Sequence, residues 1–325
     1  MFPSLFLLTF ALLTKAQLPS GTKINCSREF NDVSCIFKDI INSEELYVTL
    51  ADISSQQALE ISKIQFLNSD LEQLSLKLFR DFPRLEELDA SETYLSRLDR
   101  SDIGKTNLKK LNVSCNKIHR LTDGMTSNFE CLENFDLSYN QIERIMPEAF
   151  KFSSSLRYLN LSHNKIPTVD RNFFDAVRSC EVLKLNDNSI TEITGNFDHF
   201  VSFWKELHLQ NNKLLSIEPE LIKIPSYLDL SLNKITEIDL KDALTLELKV
   251  VSNRLKDLTI GKRLKKLDAS ENYHNYFKIN CELTQNSLTH LILSYIKTKT
   301  DGKKLDIDFT KFDKLEVLDL SENNM

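Results

Sequence analysis

The stretch LRYLNLSHNKI at residues 156–166 contains a pattern that recurs along most of the chain. Apolar residues stand at its positions 1, 4, 6 and 11 and an asparagine at position 9, so the pattern is L-x-x-L-x-L-x-x-N-x-L. A repeat of roughly 20 to 29 residues determines the architecture of a chain, because such a unit can bury its apolar face only against its neighbours.

Twelve units follow this pattern, and most of them are 24 residues apart. The spacings before the eighth, ninth and tenth units fall to 21, 20 and 19 residues. The units begin at Ile61, Leu85, Leu108, Leu132, Leu156, Cys180, Trp204, Pro225, Thr245, Leu264, Leu288 and Leu315.

Positions 1, 4 and 6 of each unit point inward from a short strand, so neighbouring units stack their strands in parallel over one aliphatic column. The sequence therefore predicts an α/β repeat solenoid, a leucine-rich repeat horseshoe with a parallel β-sheet on its concave face. On the convex face we expect mostly turns and 3₁₀ segments, with late apolar residues such as Phe150, Phe174 and Phe197 closing the core. The convex side of the shortened units should be nearly bare.

Position 9 predicts a ladder of structural amides. A buried carboxamide can satisfy loop backbone groups that no strand pairs. The nine asparagines at this position are Asn116, Asn140, Asn164, Asn188, Asn212, Asn233, Asn253, Asn272 and Asn323.

Residues 1–16 have the features of a signal peptide. An apolar run at 2–13 is followed by Thr14, Lys15 and Ala16, which fits cleavage before Gln17, and the run is too short to span a membrane. Loss of these residues removes one lysine and changes the net charge from −6 to −7. We therefore expect a secreted, extracellular chain without a membrane span, and an acidic balance that disfavours nucleic acid and anionic membranes as partners.

Residues 17–60 are predicted to cap the first repeat, and residues 61–325 form the repeats. In a secreted chain, Cys26 and Cys35 lie close enough in sequence for a disulfide that staples this cap. Residues 33–37 and 46–50 are its predicted strands.

The other cysteines differ by their place in the repeat. Cys180 is at an inward position and should be a buried thiol. Cys115 and Cys131 belong to opposite ends of a strand and should be too far apart to bridge, so Cys115 is either free or intermolecular. The pattern does not assign a place to Cys281.

Three N-x-S sequons occur, at Asn25, Asn112 and Asn160. The last two share position 5 of their repeats and should project from the concave face. Glycans on Asn112 and Asn160 would shield the third to fifth repeats.

No pattern for catalysis, metal binding or cofactor binding is present. The six glycines are too dispersed for a phosphate loop, and H-E-x-x-H, C-x-x-C and G-x-S-x-G are absent. We therefore predict a non-enzymatic protein without a cofactor.

The outward positions of the concave sheet are the candidate binding surface for a protein ligand or co-receptor. The alternative for each of these side chains is an ordinary solvated strand residue, and the alternative contact is a lateral rim. A glycan on Asn160 would favour the C-terminal members. The N-terminal set is Tyr139, Tyr158 and His163, and the C-terminal set is Lys184, His208, Tyr227, Lys249, Lys266, His290 and Tyr295.

The chain resembles the insect secreted leucine-rich repeat proteins, in particular the mosquito leucine-rich immune proteins. The resemblance rests on CIFKDI at 35–40, the 24-residue units, and the shortened run ending LKKLDASEN at 264–272. It implies a non-enzymatic haemolymph protein that recognises or stabilises other immune factors, including complement-like thioester proteins, often as a disulfide-linked dimer. The family's C-terminal cysteine cap and coiled coil have no counterpart in this sequence, so that mode of dimerisation is not carried over.

Two further expectations remain open. The alternative to a secreted immune factor is an ectodomain fragment of a membrane-anchored receptor or adhesion protein of the Toll-like type. The last unit, at residues 315–325, ends at position 11, so we expect its apolar column to be uncovered and to favour end-to-end dimerisation.

Overall fold

The computed structural model describes residues 23–29, 32–41, 55–74, 81–98, 106–198, 201–272, 278–280, 287–296 and 307–323. The predicted signal peptide, the predicted strand at 46–50 and Cys281 lie outside these residues. The chain divides into two compact units, Met1–Asn160 and Leu161–Met325, which we call the N-terminal and C-terminal units.

The described part of the N-terminal unit contains an antiparallel hairpin and a series of parallel strands. The hairpin strands are Lys23–Glu29 and Asp32–Lys38, and the second of them pairs in parallel with the strand of the first repeat. The repeat strands are Ile61–Leu67, Glu87–Asp89, Lys110–Asn112, Asn134–Asp136 and Tyr158–Asn160.

The described part of the C-terminal unit continues the same pattern with seven parallel strands. Neighbouring strands pair in register, so that equivalent repeat positions lie side by side. These strands are Val182–Lys184, Glu206–His208, Tyr227–Asp229, Glu247–Lys249, Lys266–Asp268, His290–Ile292 and Val317–Asp319.

The predicted leucine-rich repeat fold is confirmed. In the second to twelfth units the strand begins two residues after the predicted start, because position 4 must be buried while positions 3 and 5 face away from the core. The position-4 residues Leu159, Leu183 and Leu207 are each 0% exposed. We call the face formed by positions 3 and 5 the open face of each unit.

After position 11 each repeat returns along the predicted convex side, where the described residues form short strands and a few short helices. The helices of this path are Arg171–Ala176, Pro219–Ile222 and the 3₁₀ helix Phe309–Lys311, and a further short helix, Ser55–Ala58, precedes the first repeat. The strands of this return path are Gln73–Leu74, Arg97–Leu98, Arg120–Leu121, Arg144–Ile145, Thr168–Asp170, Glu192–Thr194, Glu237–Asp239, Asp257–Thr259 and Lys278–Asn280.

The expectation of a nearly bare convex side in the shortened repeats is wrong. Three return-path strands, Glu237–Asp239, Asp257–Thr259 and Lys278–Asn280, pair in parallel there. The shorter path brings successive backbones within hydrogen-bonding distance, and Leu240 N–H donates to the Thr259 carbonyl at 3.0 Å.

The cap is tied to the first repeat by covalent, backbone and aromatic contacts. Cys26 and Cys35 are directly opposite each other in the hairpin and form the predicted disulfide. Phe37 packs on Phe66 of the first repeat, with 5.4 Å between ring centroids. The hairpin partner is Lys23–Glu29, a strand that the sequence did not predict.

The last described repeat has an exposed core position. Leu318 at position 4 is 44% exposed, whereas Leu291 at the same position of the preceding repeat is 0% exposed. End-to-end association stays a prediction.

Candidate binding surface

In nine of the twelve repeats the loop after the strand is organised by the position-9 asparagine. In the repeat that begins at Cys180, Asn188 Oδ1 accepts from Ile166 N–H at 3.0 Å, and Asn188 Nδ2 donates to the Leu161 and Leu185 carbonyls at 2.9 and 3.1 Å. The side chain is 9% exposed. Because the amide bridges two repeats and uses both its oxygen and its nitrogen, it satisfies loop groups that would otherwise be buried without partners.

Of the other three repeats, two have a hydroxyl at this position and the third has Ile296. Ser69 and Thr93 occupy position 9 in the first two repeats, are 1% and 0% exposed, and bond to loop backbone groups. Asn116 of the next repeat accepts from the backbone N–H groups of Thr93 and Leu95, just as Asn140 accepts from Ile118 N–H in the repeat before it.

The residue before it, at position 8, has a left-handed backbone in all twelve repeats, with φ between 50° and 58°. In the second, third and fifth to eleventh repeats its N–H donates to the position-7 carbonyl of the next repeat, as Leu232 does to Val251 at 2.8 Å. Tyr139, His163 and Tyr295 therefore lie in this turn at the rim, beside the sheet and not within it. The sequence missed this geometry because none of the twelve positions is a glycine.

Position 5 has a structural task that the sequence analysis overlooked. Asp136 Oδ1 accepts from the backbone N–H of Ser138 at 2.9 Å, and Asp229 Oδ1 accepts from that of Ser231 at 3.0 Å. The recurring D/N-x-S in the units is the signal that could have found these turns. Where position 5 is Asp136 or Asp229, one side-chain oxygen is thus committed to the loop, and only the second faces the open surface.

The open face of the N-terminal unit contains a groove of about 480 Å³. Lys63 and Lys110 approach Glu87 Oε1 at 3.6 and 2.9 Å from the two neighbouring strands. Partial burial acts to raise the pKa of Glu87, but the two ammonium groups outweigh it and the pKa lies below its ordinary value. Asn112, Asn134, Asp136 and Tyr158 are among the other lining residues.

The open face of the C-terminal unit carries an aromatic and cationic cluster, which we call the His-Tyr-Lys cluster: His208, Tyr227 and Lys249. The rings of His208 and Tyr227 are 5.2 Å apart, and Lys249 Nζ is 5.7 Å from the Tyr227 ring centroid. Tyr227 Oη donates to Asp229 Oδ2 at 3.3 Å. Burial, followed by the Asp229 carboxylate, raises the pKa of Tyr227, so this hydroxyl stays protonated.

The remaining candidates are distributed over the same face. Lys184, Lys266 and His290 lie on strands of the C-terminal unit, and Lys266 Nζ pairs with Glu247 at 3.4 Å. Tyr158 is half-buried in the N-terminal groove. The structure therefore brings His208, Tyr227 and Lys249 together, and Lys184 lies opposite His208 on the neighbouring strand.

The cysteines with free thiols differ in exposure. Cys180 is 0% exposed, while Cys115 and Cys131 are exposed and not bonded to each other. Burial of the thiol group, followed by the nearby Glu92 carboxylate, raises the pKa of Cys115. Its thiolate is therefore less populated near neutral pH than that of an ordinary cysteine.

The sequons also differ. Asn25 is exposed on the hairpin, Asn112 is half-buried in the groove, and Asn160 is 8% exposed with Nδ2 donating to Asp136 Oδ2 at 3.1 Å. Glycosylation of all three stays a prediction.

Within the described ranges, no group of three or more His, Cys, Asp and Glu side chains is arranged to hold a metal ion. None of the helices formed by those residues has the length and apolar character that a membrane crossing requires.

The fold and its asparagine-bridged loops define a leucine-rich repeat protein. The leucine-rich repeat family model matches residues 106–166. No curated protein matches the sequence.

Solved structures of leucine-rich repeat proteins share the fold. The first is a protein of Leptospira interrogans, with a TM-score of 0.60, 21% identity, and coverage of 88% of this chain and 77% of that one. TLR13, solved in complex with ssRNA13, has a TM-score of 0.65 and 24% identity, with coverage of 89% of this chain and 47% of that one. The leucine-rich repeat domain of the mosquito protein APL1B has a TM-score of 0.57 and 26% identity, with coverage of 71% of this chain and 69% of that one.

Proposed function

We propose that this chain is a secreted, non-enzymatic leucine-rich repeat protein of innate immunity that recognises or holds a protein partner on the open face of its C-terminal unit. The observation that carries the proposal is the His-Tyr-Lys cluster, which spans three successive strands. Tyrosine is one of the residue types that dominate binding energy in protein interfaces, and here it is presented on a rigid sheet.

The cluster is favourable for binding because its parts are already held in place. Lys249 has no carboxylate within 4.0 Å of its Nζ among the residues that the structure describes, and it lies instead over the Tyr227 ring. Tyr227 is fixed by its hydrogen bond to Asp229 and by the His208 ring. A partner would therefore bind a preorganised aromatic surface with an ammonium group that is not engaged in an ion pair.

The innate-immune role rests on two likenesses. One is the resemblance of the cap and the shortened repeats to the mosquito leucine-rich immune proteins, and the other is the 26% identity to the APL1B repeat domain. Secretion rests on residues 1–16 and is consistent with a cap that contains a disulfide.

Capture from the body fluid of the source organism tests the binding surface. The secreted protein, immobilised through a C-terminal tag, is compared with Tyr227→Ala and with Tyr158→Ala, which alters a half-buried tyrosine at the same repeat position in the N-terminal unit. We expect Tyr227→Ala to weaken the captured partner's affinity at least about tenfold, the effect of losing a dominant aromatic contact, and Tyr158→Ala to leave it unchanged. The opposite pattern would place the contact in the N-terminal groove, and no effect of either would exclude both open faces.

A second candidate is the ectodomain of a membrane-anchored receptor of the Toll-like type. The likeness to TLR13 favours it, since this chain spans about half the length of that protein. Expression of the whole gene product separates the two candidates, because a secreted factor accumulates in the medium and a receptor sediments with membranes. A new N-terminus at Gln17 in either fraction would establish the signal peptide.

A further inference from the structure

The middle of the N-terminal open face contains a side-chain amide that its neighbours leave unbonded. Position 5 of five successive repeats forms a row across the strands, in the order Gln65, Asp89, Asn112, Asp136 and Asn160. Gln65 Nε2 donates to Asp89 Oδ2 at 3.3 Å, and Asn160 Nδ2 donates to Asp136 Oδ2 at 3.1 Å. The two carboxylates thus pair with the ends of the row.

Asn112 lies between these two pairs. Its Oδ1 accepts from the Ser114 backbone N–H at 3.0 Å, which fixes the plane of the amide and leaves Nδ2 on the opposite side. Nδ2 has no hydrogen-bond partner among the residues that the structure describes. It is the nitrogen that an N-x-S sequon offers for glycosylation, and the residue lines the groove.

We propose that Asn112 is the glycosylated position of the open face and that the first sugars of its glycan lie in the N-terminal groove. Asn160 remains unmodified, because only 8% of the residue is exposed and its Nδ2 lies against the Asp136 carboxylate, whereas Asn112 is half-buried. The inference rests on entry into the secretory pathway, which the proposed secretion implies, because that is where a chain meets the glycosylation machinery.

The chemistry of attachment requires a donor that the secretory pathway supplies, an oligosaccharide linked through pyrophosphate to a lipid. Asn112 Nδ2 forms a bond to C1 of the first sugar while the bond from C1 to the pyrophosphate oxygen breaks. The pyrophosphate leaves with the bonding electron pair, and Nδ2 releases one proton. The product is a secondary amide, so Asn112 Oδ1 remains available to the Ser114 N–H.

The groove is suited to hold the sugars that follow. Sugar hydroxyl and acetamido groups need both hydrogen-bond donors and acceptors, and the lining supplies the exposed amide of Asn134, the ammonium of Lys110 and the carboxylates of Asp89 and Asp136. Lys110 lies two residues before Asn112 on the same strand, and Asn134 pairs with Lys110 from the neighbouring strand. Both side chains are therefore close to the attachment point. The glycan would therefore cover this face and leave the His-Tyr-Lys cluster as the accessible one.

Glycopeptide mass spectrometry of the full chain secreted by eukaryotic cells tests the assignment. We expect Asn112 to be occupied and Asn160 to be largely unoccupied. The rate at which a glycan-releasing amidase acts on the native protein then tests the docking, with Asn25 on the exposed hairpin as the internal reference. Release at Asn112 should be at least about tenfold slower than at Asn25, because the sugars must first leave the groove, and denaturation should remove the difference.

Asn112→Asp is the matched variant. Aspartate already occupies position 5 in the repeats on both sides and can accept the Ser114 N–H, so the loop is kept while the attachment nitrogen is lost. Acylation of Lys110 should become several-fold faster in this variant than in the glycosylated protein. An unchanged rate would overturn the docking of the glycan in the groove.

The remaining outcomes separate this inference from the proposed function. An unmodified Asn112 beside an occupied Asn25, an Asn160 occupied as fully as Asn112, or equal release at Asn112 and Asn25 would each overturn the inference and leave secretion intact. A chain retained in the cytosol with no glycan at any sequon would overturn both.

Discussion

The repeats that begin at Cys180 and at Thr245 differ by five residues in length but hold their loops with the same hydrogen bonds. The first spans 24 residues and the second 19. Asn188 and Asn253 each accept at 3.0 Å from an N–H of the preceding repeat and each donate at 2.9 Å to its position-6 carbonyl. The difference in length is therefore absorbed by the return path, while the strand and loop that form the open face are kept.

The return paths are filled in two different ways. The long repeats use aromatic side chains, with Phe174 at 5.7 Å from Phe197 and 5.4 Å from Trp204. The shortened repeats use backbone contact, and Gly261 approaches Leu240 so closely that a Cβ would lie 2.0 Å from its carbonyl oxygen. A binding face built on the first part of each repeat can thus be maintained while the second part is shortened.

The largest effect is expected where the long repeats depend on aromatic filling. Phe174→Ala removes a ring that is 0% exposed and leaves a cavity among its neighbours, so the free energy of unfolding should fall by about 3 to 5 kcal/mol. Phe203→Ala is the control, since Phe203 lies in the same region and is 70% exposed. Chemical denaturation measures both, and a loss below that of the control would mean that the aromatic cluster does not support the return path.

Gly261→Ala tests the corresponding contact in the shortened repeats. The added methyl group would overlap the Leu240 carbonyl, which belongs to backbone and cannot rotate away, so we expect a loss of about 2 to 3 kcal/mol. Lys262→Ala changes the next, exposed residue and should be neutral. If the glycine variant unfolds at the same denaturant concentration as the wild type, the two return paths are not in the close contact on which the comparison depends.

Asn188→Leu and Asn253→Leu test the part that the two repeats share. Either change leaves buried loop groups without a partner and should cost about 1 to 3 kcal/mol. Because the hydrogen bonds have nearly the same lengths in both repeats, we expect the two losses to agree, as measured by denaturation of the two variants under one set of conditions. A clearly larger loss in the long repeat would show that the return path, and not the amide alone, fixes the loop.

The difference between the strand and loop of each repeat and its return path also explains what the sequence could predict. The strand of each repeat and its asparagine follow from residue types that are forced by burial, so the pattern around Leu159 and Asn164 locates them without a structure. The return-path strands, such as Glu192–Thr194, are too short for a periodic signal and are set by contacts between repeats. No residue pattern predicts the close approach of Gly261 to Leu240, because this contact depends on the position of the backbone in the preceding repeat.

The candidate surface was predictable in composition but not in arrangement. The repeat pattern predicts that Tyr227 and Lys249 point outward. Their contact runs diagonally between two neighbouring strands, and it depends on the strand register, which the sequence does not give. The role of Asp136 was missed because position 5 was treated as free for partners, although its D-x-S sequence predicts a turn.

The smallest effect is expected at position 8 of the repeat that begins at Pro225, where Leu232 has a left-handed backbone with a φ of 57°. Leucine is disfavoured in the left-handed region by about 1 to 2 kcal/mol, whereas asparagine tolerates it and already occupies the equivalent Asn211 of the preceding repeat. Leu232→Asn should therefore stabilise the protein by up to about 1 kcal/mol, because its side chain is 53% exposed and little apolar burial is lost. Leu215→Asn is the control, since Leu215 is 61% exposed but does not have a positive φ, and its unfolding midpoint should stay within the error of the wild type.

Equal gains in the two variants would mean that removal of an exposed leucine, and not relief of backbone strain, is responsible. A gain confined to Leu232→Asn would show that the turn next to the asparagine ladder is held in an unfavourable backbone conformation by the hydrogen bonds on either side of it.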